Sequence, residues 1–398
     1  MILRPDYINA VKPFIDIPII KILAGVRRSG KSTIFEMLVQ ELKSREIREE
    51  NIIQRKYNTP EYEDSTSKDI YSELIQSVAG KGKCYLFLDE VQEIDGWEKI
   101  ANTLSEDYDT DIYITGSNSK LMSSEISTYL TGRYVLIPVY TLSFREYISF
   151  RNADPSAVRE LFDEYVQYGG FPIIGKSSID IKSAYQIVEG IYASVITRDI
   201  SKRHKIRNKE LFDRVVRYII ENVGKTFSAS SISKFLKSEN RSISVETVYN
   251  YLKWLEEAFI IYPCRRYDIQ SKSVLKTQEK YYLSDISIKY SLQGFDPKML
   301  SAVFENIIFL EMKRRGYDVF IGKNGTKEID FIGIRREEKI YVQVCVRLPE
   351  NSSRETDNLM EIKDHYHKYV VCRDPLATGN DNGIEITHIA DFLLRDNW

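Results

Sequence analysis

One nine-residue stretch near the amino terminus constrains the fold more than any other part of the sequence. It reads Gly25-Val26-Arg27-Arg28-Ser29-Gly30-Lys31-Ser32-Thr33 and contains the complete pattern G-x-x-x-x-G-K-[ST]. An apolar run at residues 19–24 precedes it, and apolar positions at helical spacing follow it over residues 34–38. Strand, glycine-rich loop and helix in this order form the P-loop unit, whose backbone amides bind phosphate. The stretch therefore predicts an α/β fold with a nucleotide site.

Each type of residue in the predicted loop has a separate task. Gly25 and Gly30 let the backbone wrap around the phosphates, and the amides at the helix N-terminus point at the negative charge. Lys31 is predicted to reach the β- and γ-phosphates, and the Ser32 hydroxyl to hold Mg²⁺. The alternative is a chance match of the pattern in an ordinary strand-turn-helix unit.

Two carboxylates follow a second apolar run. Residues 84–88 are continuously apolar, as in a parallel strand buried on both faces, and Asp89 and Glu90 come directly after them. Ligands bind at the carboxyl ends of strands in open α/β sheets. Asp89 is therefore predicted to organise the metal, and Glu90 to act as the general base that activates water.

Two further segments offer candidate nucleotide contacts. The strand predicted at residues 111–118 ends in Ser117 and Asn118, either of which could contact the γ-phosphate or the attacking water. A simple turn is the alternative, because Ser and Asn favour turns. Arg133, in Leu130-Thr131-Gly132-Arg133, is a candidate arginine finger, in its own subunit or across the interface of a homo-oligomer. A structural ion pair is the alternative for Arg133.

Additional blocks follow in the order of a known group of proteins. They are Leu88-Asp89-Glu90-Val91-Gln92, Thr115-Gly116-Ser117-Asn118-Ser119, Leu142-Ser143-Phe144-Arg145-Glu146-Tyr147 and Gly169-Gly170-Phe171-Pro172. With them the chain resembles the prokaryotic AAA-type ATPases whose carboxy-terminal half is a domain of unknown function, a winged helix joined to a nuclease-like fold. The last two blocks discriminate, because nucleotide motifs occur across many families. The resemblance implies ATP as the nucleotide and a helical lid beside it.

The predicted organisation has four parts within one α/β chain. A P-loop ATPase core of AAA type covers residues 1–150, and a helical lid covers 151–205. A winged helix follows over 206–270. A restriction-endonuclease-like α/β domain covers 271–398.

The middle of the chain carries the signs of a winged helix. Residues 227–236 predict a capped short helix and residues 245–255 a second one, with residues 259–262 and 265–267 as a wing hairpin. Residues 198–280 hold 18 Lys or Arg against 10 Asp or Glu. This excess indicates either an anionic partner such as nucleic acid or a solvated face that packs on acidic neighbours.

The predicted DNA contacts come from the second helix and the wing. In the DNA-binding version of this fold the second helix enters the major groove, and the wing contacts phosphates. The outward residues of the second helix are Tyr249, Asn250 and Lys253, and the wing residues Arg265 and Arg266 are predicted to contact phosphates. Glu246, Glu256 and Glu257 oppose DNA contact, so an unidentified protein partner remains the alternative.

The last third resembles the PD-(D/E)xK nuclease core but lacks part of its site. Matched residue by residue, Glu305 takes the helix position and Asp330 the strand position, while the third element reads Gln343-Val344-Cys345. That element has neither the acid nor the lysine of the pattern. Phosphodiester cleavage needs carboxylates for the cation and a group that readies the water. We therefore expect a folded, catalytically inactive module in which Glu305, Asp330 and Gln343 form a degenerate site.

Composition excludes several classes of protein. The four cysteines lie far apart without a C-x-x-C pair, which argues against a zinc site and against a disulfide framework. No apolar run approaches a membrane span, and the start lacks the plan of a signal peptide. We expect a cytoplasmic protein whose ATP hydrolysis drives a conformational switch. The alternatives are an active ATP-dependent nuclease and a nucleotide-bound scaffold that does not hydrolyse ATP.

Overall fold

The computed structural model describes residues 2–122, 129–130, 132–176, 178–348, 354–374 and 376–398. The chain divides into two compact units. The first comprises residues 1–141 and 257–259, and the second comprises residues 142–256 and 260–398. In the described ranges no helix combines the length and the apolar character needed to cross a bilayer.

The first unit is built on a five-stranded sheet in the order β2-β3-β4-β1-β5. All its strand pairs are parallel. The strands are β1 (Ile20–Ala24), β2 (Ile52–Lys56), β3 (Cys84–Asp89), β4 (Thr110–Gly116) and β5 (Tyr134–Pro138). The three central strands β1, β3 and β4 are buried along their whole length, as expected for parallel strands covered on both faces. The predicted α/β class with a parallel sheet is confirmed.

Helices cover this sheet. They are α1 (Pro5–Val11), α2 (Lys31–Ser44), α3 (Ser67–Val78) and α4 (Trp97–Asp107). Helix α2 buries Phe35 edge-on against Phe87 of β3, which in turn stacks on Tyr113 of β4 at a centroid distance of 4.5 Å. Because the strands are parallel, the carboxyl ends of β1, β3 and β4 share one edge of the sheet, where α2 begins.

The second unit starts with a group of helices. They are α5 (Phe144–Arg151), α6 (Val158–Tyr168), α7 (Pro172–Lys176) and α8 (Ile181–Ser194), and α8 continues as a π-helix at Val195–Ser201. The block at residues 142–147 has a capping function here. The Ser143 hydroxyl accepts a hydrogen bond from the Glu146 amide at 3.1 Å, and the Glu146 carboxylate accepts one from the Ser143 amide at 2.8 Å. This reciprocal pair is a capping box at the start of α5.

The Gly169-Gly170 pair is explained by close packing. Gly169 has φ 75°, and a Cβ there would lie 2.2 Å from the Asp285 carboxylate. A Cβ on Gly170 would lie 2.6 Å from the Leu142 carbonyl oxygen, and the Gly170 amide donates to Asp285 at 2.8 Å. Only glycine satisfies both positions.

Three helices and a hairpin follow, and the last two helices lie where two short helices were predicted; the winged helix itself remains a prediction. They are α9 (Lys209–Glu221), α10 (Ala229–Ser238), α11 (Val245–Glu257), β6 (Ile261–Asp268) and β7 (Ser273–Leu283). The predicted wing hairpin is wrong in detail, because residues 261–262 and 265–267 lie on the single strand β6, whose hairpin partner is β7. The pairing of β6 with β7 shifts its register between Cys264 and Arg266. The predicted boundary at residue 270 falls inside the hairpin.

The hairpin belongs to an eight-stranded sheet in the order β12-β13-β11-β10-β9-β8-β6-β7. The remaining strands are β8 (Asp318–Asn324), β9 (Lys327–Arg335), β10 (Glu338–Val344), β11 (His367–Cys372), β12 (Gly379–Asp381) and β13 (Ile384–His388). The accompanying helices are α12 (Ser287–Gln293), α13 (Leu300–Arg314), α14 (Arg354–Met360) and α15 (Ile389–Leu394). Strand β6 pairs with β8 in parallel, so the hairpin extends this sheet and is not a free wing.

Candidate nucleotide site

The glycine-rich loop lies at the carboxyl end of β1 and leads into α2. Gly30 precedes α2 with φ 99°, a conformation that favours glycine. A Cβ on Gly25 would lie 2.0 Å from the Val139 carbonyl oxygen, so the first glycine is needed for close packing. The Lys31 ammonium donates to the carbonyl oxygens of Gly25 at 3.0 Å and Val26 at 3.2 Å. The lysine is therefore folded back over the loop in which a phosphate would lie.

The metal-binding pair predicted from the sequence is brought together. The Ser32 hydroxyl donates to the Asp89 carboxylate at 2.7 Å. The other Asp89 oxygen accepts a hydrogen bond from the Thr115 hydroxyl, which in turn accepts one from the Glu90 amide at 3.0 Å. A hydroxyl and a carboxylate are the oxygen ligands that Mg²⁺ takes from proteins alongside phosphates and water. Among the described residues, no group of three or more His, Cys, Asp or Glu is placed to hold a metal without other ligands. Ser32 and Asp89 therefore fit an Mg²⁺ ion that is also bound by the phosphates of a nucleotide.

Glu90 is buried and held from several sides. Its carboxylate lies 3.7 Å from the Lys31 ammonium and accepts hydrogen bonds from the Ser117 hydroxyl, at 3.1 Å, and from the Gln92 amide. Burial by itself raises the pKa of the Glu90 carboxyl. The charge of Lys31, the Gln92 hydrogen bond, the charge of Arg27 and the Ser117 hydrogen bond outweigh it and place that pKa below its usual value. Glu90 is therefore ionised at neutral pH.

The other predicted loop residues differ in exposure. Arg27 is buried, whereas Arg28, Ser32 and Thr33 are exposed. Ser117 and Asn118 are buried directly after β4, at the same edge of the sheet as Asp89.

The structure does not bring Arg133 to this edge. Arg133 directly precedes β5, its carbonyl oxygen accepts a hydrogen bond from the Ile20 amide at 2.9 Å, and Ile20 begins β1. The loop follows the other end of β1, about 16 Å away for a five-residue strand. The Arg133 guanidinium is exposed and pairs with Glu106 at 3.0 Å. This geometry therefore does not support Arg133 as an arginine finger within its own subunit. Its action across a subunit interface remains a prediction.

Three residues at this site were not predicted from the sequence. Thr115 links Asp89 to the Glu90 amide, and Gln92 holds both Glu90 and Ser117. Both lie inside quoted motif blocks, but their roles depend on which strands are neighbours. Arg4 donates to the Ser29 carbonyl oxygen at 2.7 Å, and no motif points to it.

A second cluster of charges lies in the second unit, at the residues matched to the nuclease pattern. Lys280 of β7 places its ammonium 3.4 Å from Glu305 of α13 and 3.0 Å from Glu328 of β9. Asp330 accepts a hydrogen bond from the Val344 amide at 2.8 Å, and Gln343 accepts one from the Asp330 amide at 3.3 Å. Glu305, Asp330 and Gln343 are thus gathered as predicted. The positive charge in this cluster is the Lys280 ammonium, and Lys280 precedes the nuclease pattern in the sequence.

The pKa values in this cluster reflect burial and shared charge. Burial raises the pKa of Asp330 well above its usual value and the charge of Glu305 adds to this, against the opposing effects of Lys280 and the Val344 amide. Burial also raises the pKa of Glu305, opposed by Lys280. The carboxylates raise the pKa of the Lys280 ammonium despite its burial, so Lys280 stays charged.

The predicted DNA contacts are only partly presented to solvent. Tyr249, Asn250 and Lys253 are exposed on one face of α11, and the Tyr249 side chain is 57% exposed. Arg265 is exposed and pairs with Glu279 at 3.4 Å. The prediction for Arg266 is wrong, because its side chain is mostly buried and forms an ion pair with Glu328. Glu328 also pairs with Lys280, so the Arg266 guanidinium faces the charge cluster and not solvent.

Comparison with known proteins identifies an AAA domain that covers most of the first unit. Residues 18–148 match the model of an AAA domain family, and residues 159–299 match a domain of unknown function (DUF8612). An uncharacterized protein of Haemophilus influenzae is 38% identical over 99% of both chains. The chain therefore belongs to the same family as this Haemophilus influenzae protein. The protein MJ1544 of Methanocaldococcus jannaschii is 31% identical over 94% of this chain and 85% of its own.

A solved structure extends the likeness of fold. The Walker-type ATPase PABY2304 of Pyrococcus abyssi superposes with a TM-score of 0.50 at 16% identity, over 74% of this chain and 96% of its own. An AAA domain with a P-loop in this setting indicates a nucleotide-binding ATPase fold.

Proposed function

We propose that this protein binds ATP with Mg²⁺ and hydrolyses it as a conformational switch. The observation that carries the proposal is the joint placement of Lys31, Ser32, Asp89 and Glu90 at the carboxyl edge of one parallel sheet. Glycine loop, lysine, hydroxyl, acid and base are the parts that phosphoryl transfer to water requires. The metal, when bound, neutralises charge on the phosphate oxygens.

Each residue then has one role. The amides at the start of α2 and the Lys31 ammonium bind the phosphates, while Ser32 and Asp89 hold the metal. Thr115 fixes the Asp89 carboxylate and the Glu90 backbone in one arrangement. The Glu90 carboxylate is oriented by hydrogen bonds from Ser117 and Gln92. It accepts a proton from the attacking water.

Binding of a triphosphate is expected to make Glu90 a stronger base. Lys31 is the main group whose charge lowers the pKa of Glu90 in the nucleotide-free arrangement. A phosphate that draws the ammonium away removes this effect, so the pKa of Glu90 rises. Loss of the γ-phosphate after hydrolysis removes one of the two phosphates that hold Lys31, so the ATP- and ADP-bound states have different contacts, which permits a switch.

The test is phosphate release by wild type, Glu90→Gln and Lys31→Met, combined with calorimetry of Mg·ATP binding. We expect Glu90→Gln to bind Mg·ATP but to release phosphate about 100-fold more slowly, and Lys31→Met to lose binding. Wild-type release equal to that of Glu90→Gln at background level would instead support a nucleotide-bound scaffold. No binding heat with wild type would refute both.

A second function, contact with DNA through α11, is favoured by one observation. Tyr249, Asn250 and Lys253 form an exposed face of a helix that follows another short helix, in a segment with an excess of positive charge. Such a face contacts base edges while cations nearby contact phosphates. The acidic Glu246 on the same face makes a protein partner the competing occupant.

Duplex binding measured at two salt concentrations tests this proposal. Lys253→Glu and Arg265→Glu should each weaken binding and reduce its salt dependence, while Lys182→Glu on α8 should not. Absence of duplex binding at low ionic strength would contradict it.

We further propose that the carboxylate cluster at Glu305, Asp330 and Gln343 is inactive as a nuclease. Its charge is balanced by Lys280, and the Asp330 and Gln343 side-chain oxygens already accept backbone hydrogen bonds. Plasmid cleavage with Mg²⁺ or Mn²⁺ that disappears in Asp330→Ala would overturn this.

A further inference from the structure

The nucleotide loop is held from behind by a buried arginine of the amino-terminal segment. Arg4 directly precedes α1 and is 2% exposed. Its guanidinium donates to the Ser29 carbonyl oxygen at 2.7 Å and to the Tyr140 carbonyl oxygen at 3.0 Å. One planar side chain therefore joins the tip of the loop to the segment that follows β5.

Tyr7 of α1 supports this arrangement. The Arg4 guanidinium lies over the Tyr7 ring, 4.4 Å from its centroid, and the Tyr7 hydroxyl accepts a hydrogen bond from the Tyr140 amide at 3.1 Å. The Val139 amide donates to the Ala24 carbonyl oxygen at 2.7 Å, directly before Gly25. Both ends of the loop are thus fixed to residues 139–140, one directly and one through Arg4.

The contact at Ser29 fixes the direction of a peptide group. In a trans peptide the carbonyl and the N–H of the next residue point in opposite directions. Holding the Ser29 carbonyl on the Arg4 side turns the Gly30 N–H away from Arg4. Gly30, with φ 99°, has the backbone freedom to allow the opposite orientation, which would direct a carbonyl oxygen at the phosphates. The orientation of the Ser29–Gly30 peptide group is thus set by Arg4, which lies 25 positions earlier in the sequence than Ser29.

We propose that Arg4 is a positioning residue of the nucleotide site, which orients the Ser29–Gly30 peptide so that its N–H faces the phosphates. Arg4 itself does not touch the nucleotide. The proposal rests on the proposed nucleotide binding by this loop. Arginine suits the task because its planar fork can serve two carbonyl oxygens at once, whereas the lysine ammonium is a point charge.

The experiment is calorimetric binding of Mg·ADP to full-length wild type, Arg4→Met and Arg4→Lys, with Val11→Ala as the control. Mg·ADP is used because its affinity does not depend on hydrolysis. Val11 is a fully buried residue at the end of α1, so its truncation weakens the packing of the same helix without removing a hydrogen bond to the loop. The thermal midpoint of each variant without nucleotide is measured alongside.

We expect the Kd for Mg·ADP to rise about tenfold or more in Arg4→Met, because a hydrogen bond to a charged group is lost at the loop. Arg4→Lys should also bind more weakly than wild type by several-fold, whereas Val11→Ala should keep the wild-type Kd despite a lower thermal midpoint. If Arg4→Met does not fold, Arg4→Lys against Val11→Ala decides. Wild-type affinity in the arginine variants, or an equal loss in Val11→Ala, would overturn the proposal. Lack of binding by wild type would instead refute the proposed function.

Discussion

At the residue scale, the central feature is a chain of contacts that joins groups from two strands and one helix. Ser32 contacts Asp89, Asp89 contacts Thr115, and Thr115 contacts the Glu90 amide. Thr115 contacts neither phosphate nor metal in the proposed mechanism, but its hydroxyl fixes the position of Asp89 relative to Glu90. Groups that orient metal ligands commonly affect activity as much as the ligands do.

Replacement of Thr115 by Val should therefore slow ATP hydrolysis about 10- to 100-fold, with little change in Mg·ADP affinity. The hydroxyl is lost while the shape of the β-branched side chain is kept. Thr110→Val is the matched control on the same strand, because the Thr110 hydroxyl donates to the Leu104 carbonyl oxygen at 2.7 Å, at the other end of β4. Steady-state phosphate release measures both, and equal rates in the two variants would contradict the role of Thr115.

At the element scale, turns and helix starts in the second unit explain sequence blocks that have no nucleotide role. Ser143 and Glu146 cap α5, and Gly169 and Gly170 pack against Asp285, which precedes α12. The backbone geometry at these positions admits few substitutes, which explains the residues found there without a nucleotide role.

Gly169→Ala should lower the free energy of unfolding by about 1–3 kcal/mol, because its φ of 75° is strained for alanine and the added Cβ meets Asp285. Gly190→Ala is the control, since it lies inside α8 with nothing within 4 Å of the added carbon. That substitution should stabilise the protein by about 0.5–1 kcal/mol, the helix preference of Ala over Gly. Urea unfolding measures both, and a destabilisation of similar size in the two variants would show that the φ of Gly169 is not the cause.

At the scale of the whole molecule, the two units differ in the direction in which the pKa values of their buried carboxyl groups are shifted. The first unit keeps an ionised carboxylate at Glu90 because Lys31 and hydrogen bonds lower its pKa. In the second unit, burial raises the pKa of both Asp330 and Glu305 around one ammonium, that of Lys280. A buried charge that loses its partner destabilises the fold strongly.

The stability of the protein should depend on pH through Asp330. A carboxyl whose pKa is raised on folding binds its proton more tightly in the folded state. It therefore contributes stability that is complete below its unfolded pKa, about 3.9, and is lost as the pH rises toward its folded pKa. The neighbouring charges are Glu305, Lys280 and Glu355.

Asp330→Asn removes this titration and can still accept the Val344 amide hydrogen bond. Its stability relative to wild type should therefore increase between pH 5 and pH 8, by about 1 kcal/mol or more. Urea unfolding at the two pH values measures the change. A relative stability that stays constant, or falls, with rising pH would show that Asp330 does not carry the shift.

The sequence by itself determined the nucleotide loop, the acidic end of β3 and the α/β class, because these depend on local patterns and on the rule that parallel strands end together. It also located Glu305, Asp330 and Gln343. Only the tertiary structure decided that Arg133 lies at the far end of the sheet, that Arg266 is mostly buried, and that Lys280 and Arg4 contact residues distant in sequence. The physical reason is that strand order and side-chain direction depend on long-range pairing, which leaves no local pattern in the sequence.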